Sequence, residues 1–233
     1  MIIVHHLNNS RSQRILWLLE ELGLAYEIKK YQRDPKTMLA PPELRAVHPL
    51  GKSPVISDGD TVVAESGAIV EYLIERYDGE ASASRAGGPG SLAPAPGTPE
   101  RLLYTCFLHY AEGSLMPPLL LKLVFDRVAN GPAPFFVRPI ARGIADKVTK
   151  SFVQPQIDRH LGYLEAELGK RTWFAGSQFS AADIQMSFPL EAAASRGGLD
   201  GRYPNLAAFL ERIHARPAYR QALERGGKYD FVK

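Results

Sequence analysis

The sequence predicts an α/β unit of order β-α-β-α-β-β-α followed by an all-helical unit, and three observations carry that reading. Short apolar runs alternate with helix-period segments over residues 1–78. A stretch made almost wholly of Gly, Ala, Ser and Pro interrupts the chain at residues 79–98. Everything from residue 99 to 233 then repeats apolar residues at helical spacing. Two domains joined by a linker are therefore expected at 1–78, 79–98 and 99–233.

Ile2-Ile3-Val4 is a continuous apolar run, as in a strand buried on both faces. His5 and His6 are expected to end it. Neighbouring strand residues point to opposite faces, so the two read as one packed and one hydrogen-bonded histidine, not as a ligand pair. Ser10 or Ser12 can cap the following helix, whose apolar residues Ile15, Leu18, Leu19 and Leu22 run to a stop at Gly23. Tyr26 to Lys29 alternates and reads as the second strand. Pro41-Pro42 opens a short helical piece that must end near His48-Pro49. Pro54 cannot donate a ladder bond and belongs at the start of the third strand, Val55-Ile56. Asp58-Gly59-Asp60 is a hairpin turn, and Thr61 to Ala64 returns antiparallel. Ser66 is a good N-cap for a helix that presents Ile69, Tyr72, Leu73 and Tyr77 on one face. Right-handed crossovers make the early strands parallel. This order is that of the thioredoxin-like fold.

In the second half, Thr98-Pro99 supplies a cap followed by proline at the first helical position, and Leu103, Phe107 and Tyr110 continue the face. Pro117-Pro118 should bend that helix, and Pro155 should kink the long pattern from Ile140 to Leu168. Residues 179–184, FSAADI, carry a capping box between Ser180 and Asp183 and a staple between Phe179 and Ile184. Asp183 is thus read as a folding residue. Helices at Pro204 and Pro217 close the chain.

Composition narrows the function. At 45% hydrophobic and 23% charged residues, the chain has an ordinary globular balance. A net charge of +3 with scattered Lys and Arg leaves no nucleic-acid footprint. No apolar run is long enough to span a membrane and no leader pattern precedes the first strand, so a cytoplasmic protein is expected. The single cysteine, Cys106, allows no internal disulfide and is expected to be a small buried residue.

Four segments, SRSQRILWLLEELGL, HPLGKSPVI, AESGAIVEYL and WFAGSQFSAADI, together resemble the cytosolic glutathione transferases, and most closely their bacterial and fungal serine-type members. The resemblance spans nearly the whole chain. It implies an α/β thioredoxin-like N-terminal domain, an all-α C-terminal domain and a homodimer. Glutathione would be the co-substrate, attacking a small hydrophobic electrophile or a peroxide, with no metal. It also implies a cis bond before Pro54. Val55 would pair its backbone with the cysteinyl part of glutathione, and Glu65 and Ser66 would hold the γ-glutamyl end. The linker is longer than is usual in that family and reads as a mobile surface excursion.

Only a thiolate is a competent nucleophile, and an unperturbed thiol with a pKa near ~8.5 is mostly protonated at neutral pH. Lowering that value by ~2 units takes ~2.7 kcal/mol of preference for the anion. One aimed hydroxyl beside a helix N-terminus is the right size of effect. In serine-type members the catalytic serine stands four residues before the arginine that begins the apolar helix. By that resemblance Ser10, four before Arg14, is the donor, with Ser12 and Asn9 as alternatives. Lys52 is the cation for the glycyl carboxylate. Phe107, Tyr110 and Met116 are candidates for the electrophile pocket. The competing reading is a binding or assembly module without catalysis. A disulfide oxidoreductase lacks its cysteine at the first helix, and Ala64-Glu65-Ser66-Gly67-Ala68 is not a G-x-S-x-G elbow.

Overall fold

A computed structural model describes residues 1–79 and 91–232. Its sheet contains β1 (Ile2–Leu7), β2 (Tyr26–Tyr31), β3 (Val55–Asp58) and β4 (Thr61–Ala64), in the spatial order β2-β1-β3-β4. β1 runs parallel to β2, with Ile2 opposite Tyr26, and antiparallel to β3, with Ile2 opposite Asp58. The connections are α1 (Ser12–Leu22), α2 (Glu43–Val47) and α3 (Ser66–Leu73), the last continued by a wide turn, Ile74–Asp78. The thioredoxin-like order is therefore present. Gly23 (φ 66°) ends α1 and Gly59 (φ 58°) turns the hairpin, both in the left-handed region that only glycine enters without strain.

The helical unit contains α4 (Pro99–Tyr110), α5 (Met116–Asn130), α6 (Arg138–Val148), α7 (Gln154–Leu168), α8 (Ala181–Ala192), α9 (Pro204–His214) and α10 (Pro217–Gly226). Thr98 caps α4 by accepting from Arg101 N at 3.2 Å. The bends expected at the prolines fall one turn earlier than each ring. Wide turns occupy Ala111–Leu115 before Pro117 and Thr149–Val153 before Pro155. A proline ring clashes with the carbonyl four residues back, so the preceding turn loosens.

Both units share one core. α1 lies between the sheet and the C-terminal helices, which is why Ser12 to Leu19 are all buried. Trp17 meets Phe179 at 5.7 Å and the edge of Tyr219 at 5.1 Å. α8 is buried along its whole length. Its capping box is present, and Asp183 does more than close it. Its carboxylate accepts from Ser180 N (2.9 Å), Ser180 Oγ (3.0 Å) and Phe174 N (2.8 Å), tying the preceding loop to the helix start.

Three expectations are corrected, and a fourth falls outside the described residues. β1 does not end at His5 but carries both histidines to Leu7, because β2 continues the ladder to Tyr31, opposite Leu7, although β3 pairs only as far as His5. Both histidines are hydrogen-bonded: His5 to Tyr31 Oη and Ser57 Oγ, His6 to Ser12 Oγ. Cys106 is exposed, not buried, since α4 turns Tyr104, Phe107 and Leu108 inward. The expected excursion lies largely in residues 80–90, outside the described residues. Its end, however, is anchored: Leu92 is buried, its N–H donates to Asp78 at 2.7 Å, and its carbonyl accepts from Ala181 N at 2.8 Å.

Replacing Asp183 by Ala orphans three buried donors and is expected to destabilise the fold by ~3 kcal/mol. Denaturant unfolding checks this. A loss below ~1 kcal/mol would show that the box is ornamental.

Candidate active site

A cleft of about 490 Å³ opens between the sheet unit and the first helices of the helical unit. Its floor is the segment from Gly51 to Val55, which contains the cis bond between Ser53 and Pro54. One wall is Ala64, Glu65 and Ser66. The other carries Arg11 and Glu112. Lys52, Val55, Glu65 and Ser66, singled out from the sequence, all line this one cleft. Arg45 and His48 stand beside Lys52, giving that end three basic side chains where the sequence reading had one.

Ser66 is not the N-cap. It is the first residue of α3, and the cap position belongs to Glu65, at φ 69° and ψ 122°. A non-glycine residue there carries backbone strain, held in place by its surroundings. Ser66 is unavailable as a cap because its hydroxyl is engaged elsewhere. Ser66 Oγ accepts from Arg14 Nη2 at 2.6 Å and from Gln185 Nε2 at 3.3 Å. With both lone pairs taken, its own proton is left to give away, beside the unbonded amides of the first turn of α3.

Arg14 organises this side of the cleft. It is buried, and besides Ser66 it donates to the Gln185 carbonyl at 2.6 Å and to Glu112. Arg11 donates from Nε to both oxygens of Glu112 at 2.9 Å. Burial pushes the Glu112 carboxyl up, but Arg14 and Arg11 outweigh it and hold it below the usual carboxylate range. Neither Arg11 nor Glu112 was chosen from the sequence. The signal for Arg11 was its place inside the SRSQR motif; Glu112 offered none.

The three candidate sulfur partners sit differently. Asn9 is committed to the C-terminal segment, donating to Asp230 Oδ2 at 2.6 Å and accepting from Asp230 N at 2.9 Å. Ser12 is fully buried, with Oγ 2.7 Å from Ser10 Oγ and 2.9 Å from His6 Nδ1. Neither serine caps α1; the N-cap position is Arg11, without a side-chain cap bond. Ser10 is buried and does not itself line the cleft; its Oγ accepts from Ser12 N at 3.3 Å and lies 3.5 Å from Ser53 Oγ, which does. The three side chains thus form a row, His6–Ser12–Ser10, running from β1 toward the cleft floor. Burial, aided by Lys30, lowers His6 to about 4, so the imidazole is neutral.

Of the apolar candidates, only Met116 is well placed, in a second chamber adjoining the cleft. Phe107 and Tyr110 are not at the site. Phe107 packs on Phe174 at 4.8 Å inside the helical unit, and Tyr110 turns toward α7, where its hydroxyl meets His160. Neither lines the cleft or the second chamber. Phe188, Phe231 and Leu123 line the second chamber instead.

Comparison with known proteins bears on this geometry. Residues 10–76 match the family model of the glutathione S-transferase N-terminal domain, and residues 132–217 that of the C-terminal domain. Glutathione S-transferase 3 of Schizosaccharomyces pombe is 36% identical, over 97% of this chain and 88% of its own length. Glutathione S-transferase 1 of Saccharomyces cerevisiae is 34% identical, over 97% of this chain and 95% of its own. The crystal structure of a glutathione S-transferase from Actinobacillus pleuropneumoniae superposes with a TM-score of 0.79 at 36% identity, covering 100% of this chain and 96% of its own.

The buried histidine has a measurable consequence. Between pH 6.5 and about 4 the unfolded chain takes up a proton at His6 that the folded chain refuses. Stability is therefore present above pH ~6.5 and lost as pH falls toward 4, by up to ~3 kcal/mol from this group. A His6→Asn variant, which keeps a donor without the titration, should show a shallower fall in melting temperature over that range. An unchanged slope would contradict the assignment.

Proposed function

This chain belongs to the glutathione S-transferase family, and we propose that it binds glutathione in the cleft between Lys52 and Ser66 and uses Ser10 to keep the sulfur ionised. The observation that carries the reading is the convergence, on one cleft, of a cationic end, an amide-rich end and a hydroxyl row beneath the floor between them. Lys52, with Arg45 and His48, receives the glycyl carboxylate. Glu65 pairs with the γ-glutamyl ammonium. The Ser66 hydroxyl and the first amides of α3 receive the γ-glutamyl carboxylate. The backbone of Val55 pairs with the cysteinyl residue, which brings the sulfur above the Ser53–Ser10 corner.

The hydroxyl row has two possible directions, and only one serves this chemistry. If Ser10 donates inward to Ser12, its proton is spent. If neutral His6 donates from Nδ1 to Ser12 Oγ and Ser12 donates to Ser10 Oγ, Ser10 accepts twice and its proton is left for the cleft floor, where Ser53 Oγ, already donating to the His5 carbonyl, is a weak acceptor at 3.5 Å that the bound sulfur would replace. Each bond in such a chain polarises the next. The thiol proton leaves to solvent, so no buried base is needed. The thiolate then forms a carbon–sulfur bond to the electrophile, and the leaving group departs with its electron pair. The same thiolate can attack a hydroperoxide oxygen, the O–O bond breaking to release the alcohol after protonation and leaving glutathione sulfenic acid, which a second glutathione converts to the disulfide with release of water. Family membership also supports a homodimer acting in the cytoplasm.

Ser10→Ala is expected to keep glutathione affinity within a few-fold and to lower turnover by about 10- to 100-fold, the loss of one anion-stabilising bond of ~1.5–3 kcal/mol. Its pH–rate profile should shift to higher pH. Ser12→Ala should cost less, about 3- to 10-fold, because it removes only the polarising bond. Steady-state kinetics checks both. Full activity in Ser10→Ala with the larger loss in Ser12→Ala would reassign the donor.

A further inference from the structure

The second chamber, about 420 Å³, shares Arg11, Arg33, Met38 and Leu120 with the glutathione cleft and so continues it. Its apolar wall is Met116, Leu123 and an edge-to-face pair, Phe188 and Phe231, at 5.3 Å. Arg11 lies over Phe188 at 5.1 Å, and Arg196 over Phe231 at 5.1 Å. The chamber is nevertheless strongly cationic. Arg11, Arg33, Arg127 and Arg196 all face it, against one carboxylate, Asp230.

That carboxylate is already engaged, by Asn9 and by Lys228 at 3.3 Å. Arg11 pairs with Glu112, which it shares with Arg14. The nearby Asp126 is taken by Lys122 at 2.8 Å. Arg33, Arg127 and Arg196 make no ion pair among the described residues. Burial lowers the proton affinity of Arg33 and Arg196, and Arg11 and Arg127 lower both further by repulsion, which Asp126 offsets in part at Arg196. Arg196 also has a buried Nε with no hydrogen-bond partner. Like charges brought together with a buried donor unmatched are costly unless something supplies acceptors. Glutathione does not, because its carboxylates are accounted for by Lys52, Arg45 and His48 at one end and by Ser66 and α3 at the other.

Resting on the proposed transferase reading, we propose that the second substrate is an amphipathic anion: an apolar, ring-bearing body that packs between Met116 and Phe188, carrying a carboxylate held by Arg127 and Arg196. The electrophilic carbon then faces the glutathione cleft, and the carboxylate lies at the far end.

A matched pair of probes tests this. 4-Chloro-3-nitrobenzoate and 4-chloro-3-nitrobenzamide react by the same step: the thiolate adds at the chlorine-bearing carbon, the carbon–sulfur bond forms and chloride leaves. With each rate divided by that of the uncatalysed reaction, kcat/KM should favour the carboxylate at least tenfold. In an Arg127→Gln, Arg196→Gln variant that ratio should fall to about one. Calorimetric binding of the two probes should show the same order. Equal or weaker binding of the carboxylate by the wild-type protein overturns the inference, whether or not turnover is seen, as does a preference that survives the double substitution. Turnover of neither probe, with the carboxylate still bound more tightly, would instead count against the transferase reading and leave the charge recognition standing.

Discussion

The buried guanidinium of Arg14 is the constraint on which the rest of the structure depends. Taking a charge out of water costs several kcal/mol unless it is fully met by partners. Arg14 meets most of that demand through its two terminal nitrogens, with the Gln185 carbonyl of α8, the Ser66 hydroxyl of α3 and the Glu112 carboxylate beyond α4, leaving only its Nε unpartnered. Three elements far apart in sequence are therefore held against the start of α1. The α/β unit and the helical unit can meet in only one arrangement, and the cleft lies along the line where they meet. The Ser10–Ser12 corner stands one turn ahead of Arg14, so the guanidinium that locks the two units also positions the reactive loop.

Binding features follow from this lock rather than from any one motif. Ser66 loses its role as a cap because Arg14 and Gln185 occupy its lone pairs, and that frees its proton for a ligand carboxylate. Glu65 takes the strained cap position in consequence, which exposes its carboxylate to the cleft. Glu112, half-buried, is held in its ionised form by the two arginines that share it, Arg11 and Arg14. Strain and desolvation are thus concentrated where a charged ligand is to be held.

What was legible in the sequence was what is local. Gly23, the Asp58–Asp60 hairpin, the Thr98 cap and the Ser180–Asp183 box each depend on residues a few positions apart, and each is present. The cleft residues Lys52, Val55, Glu65 and Ser66 were legible through the resemblance, whose motifs fall on the loops that form the floor and wall. What was not legible depends on how elements are turned against one another. Phe107 and Tyr110 lie on α4, which gives no residue to the cleft or the chamber, and turn toward Phe174 and His160 instead. Cys106 is one position from buried Phe107 and is exposed. The partners of Arg14 are 52, 98 and 171 residues away in sequence. No spacing rule connects Arg11 to Glu112, or Arg33 to Arg127 and Arg196, because their proximity exists only once the two units have packed.

The central claim is that a tripeptide held at both carboxylates has its sulfur kept ionised by the Ser10 hydroxyl. Titrating the thiolate absorbance of glutathione bound to the wild-type protein tests it most directly. A bound-thiol pKa about 2 units below the free value of ~8.5 is the predicted result. A bound thiol that titrates where it does in solution would contradict the account, however tightly the tripeptide is held.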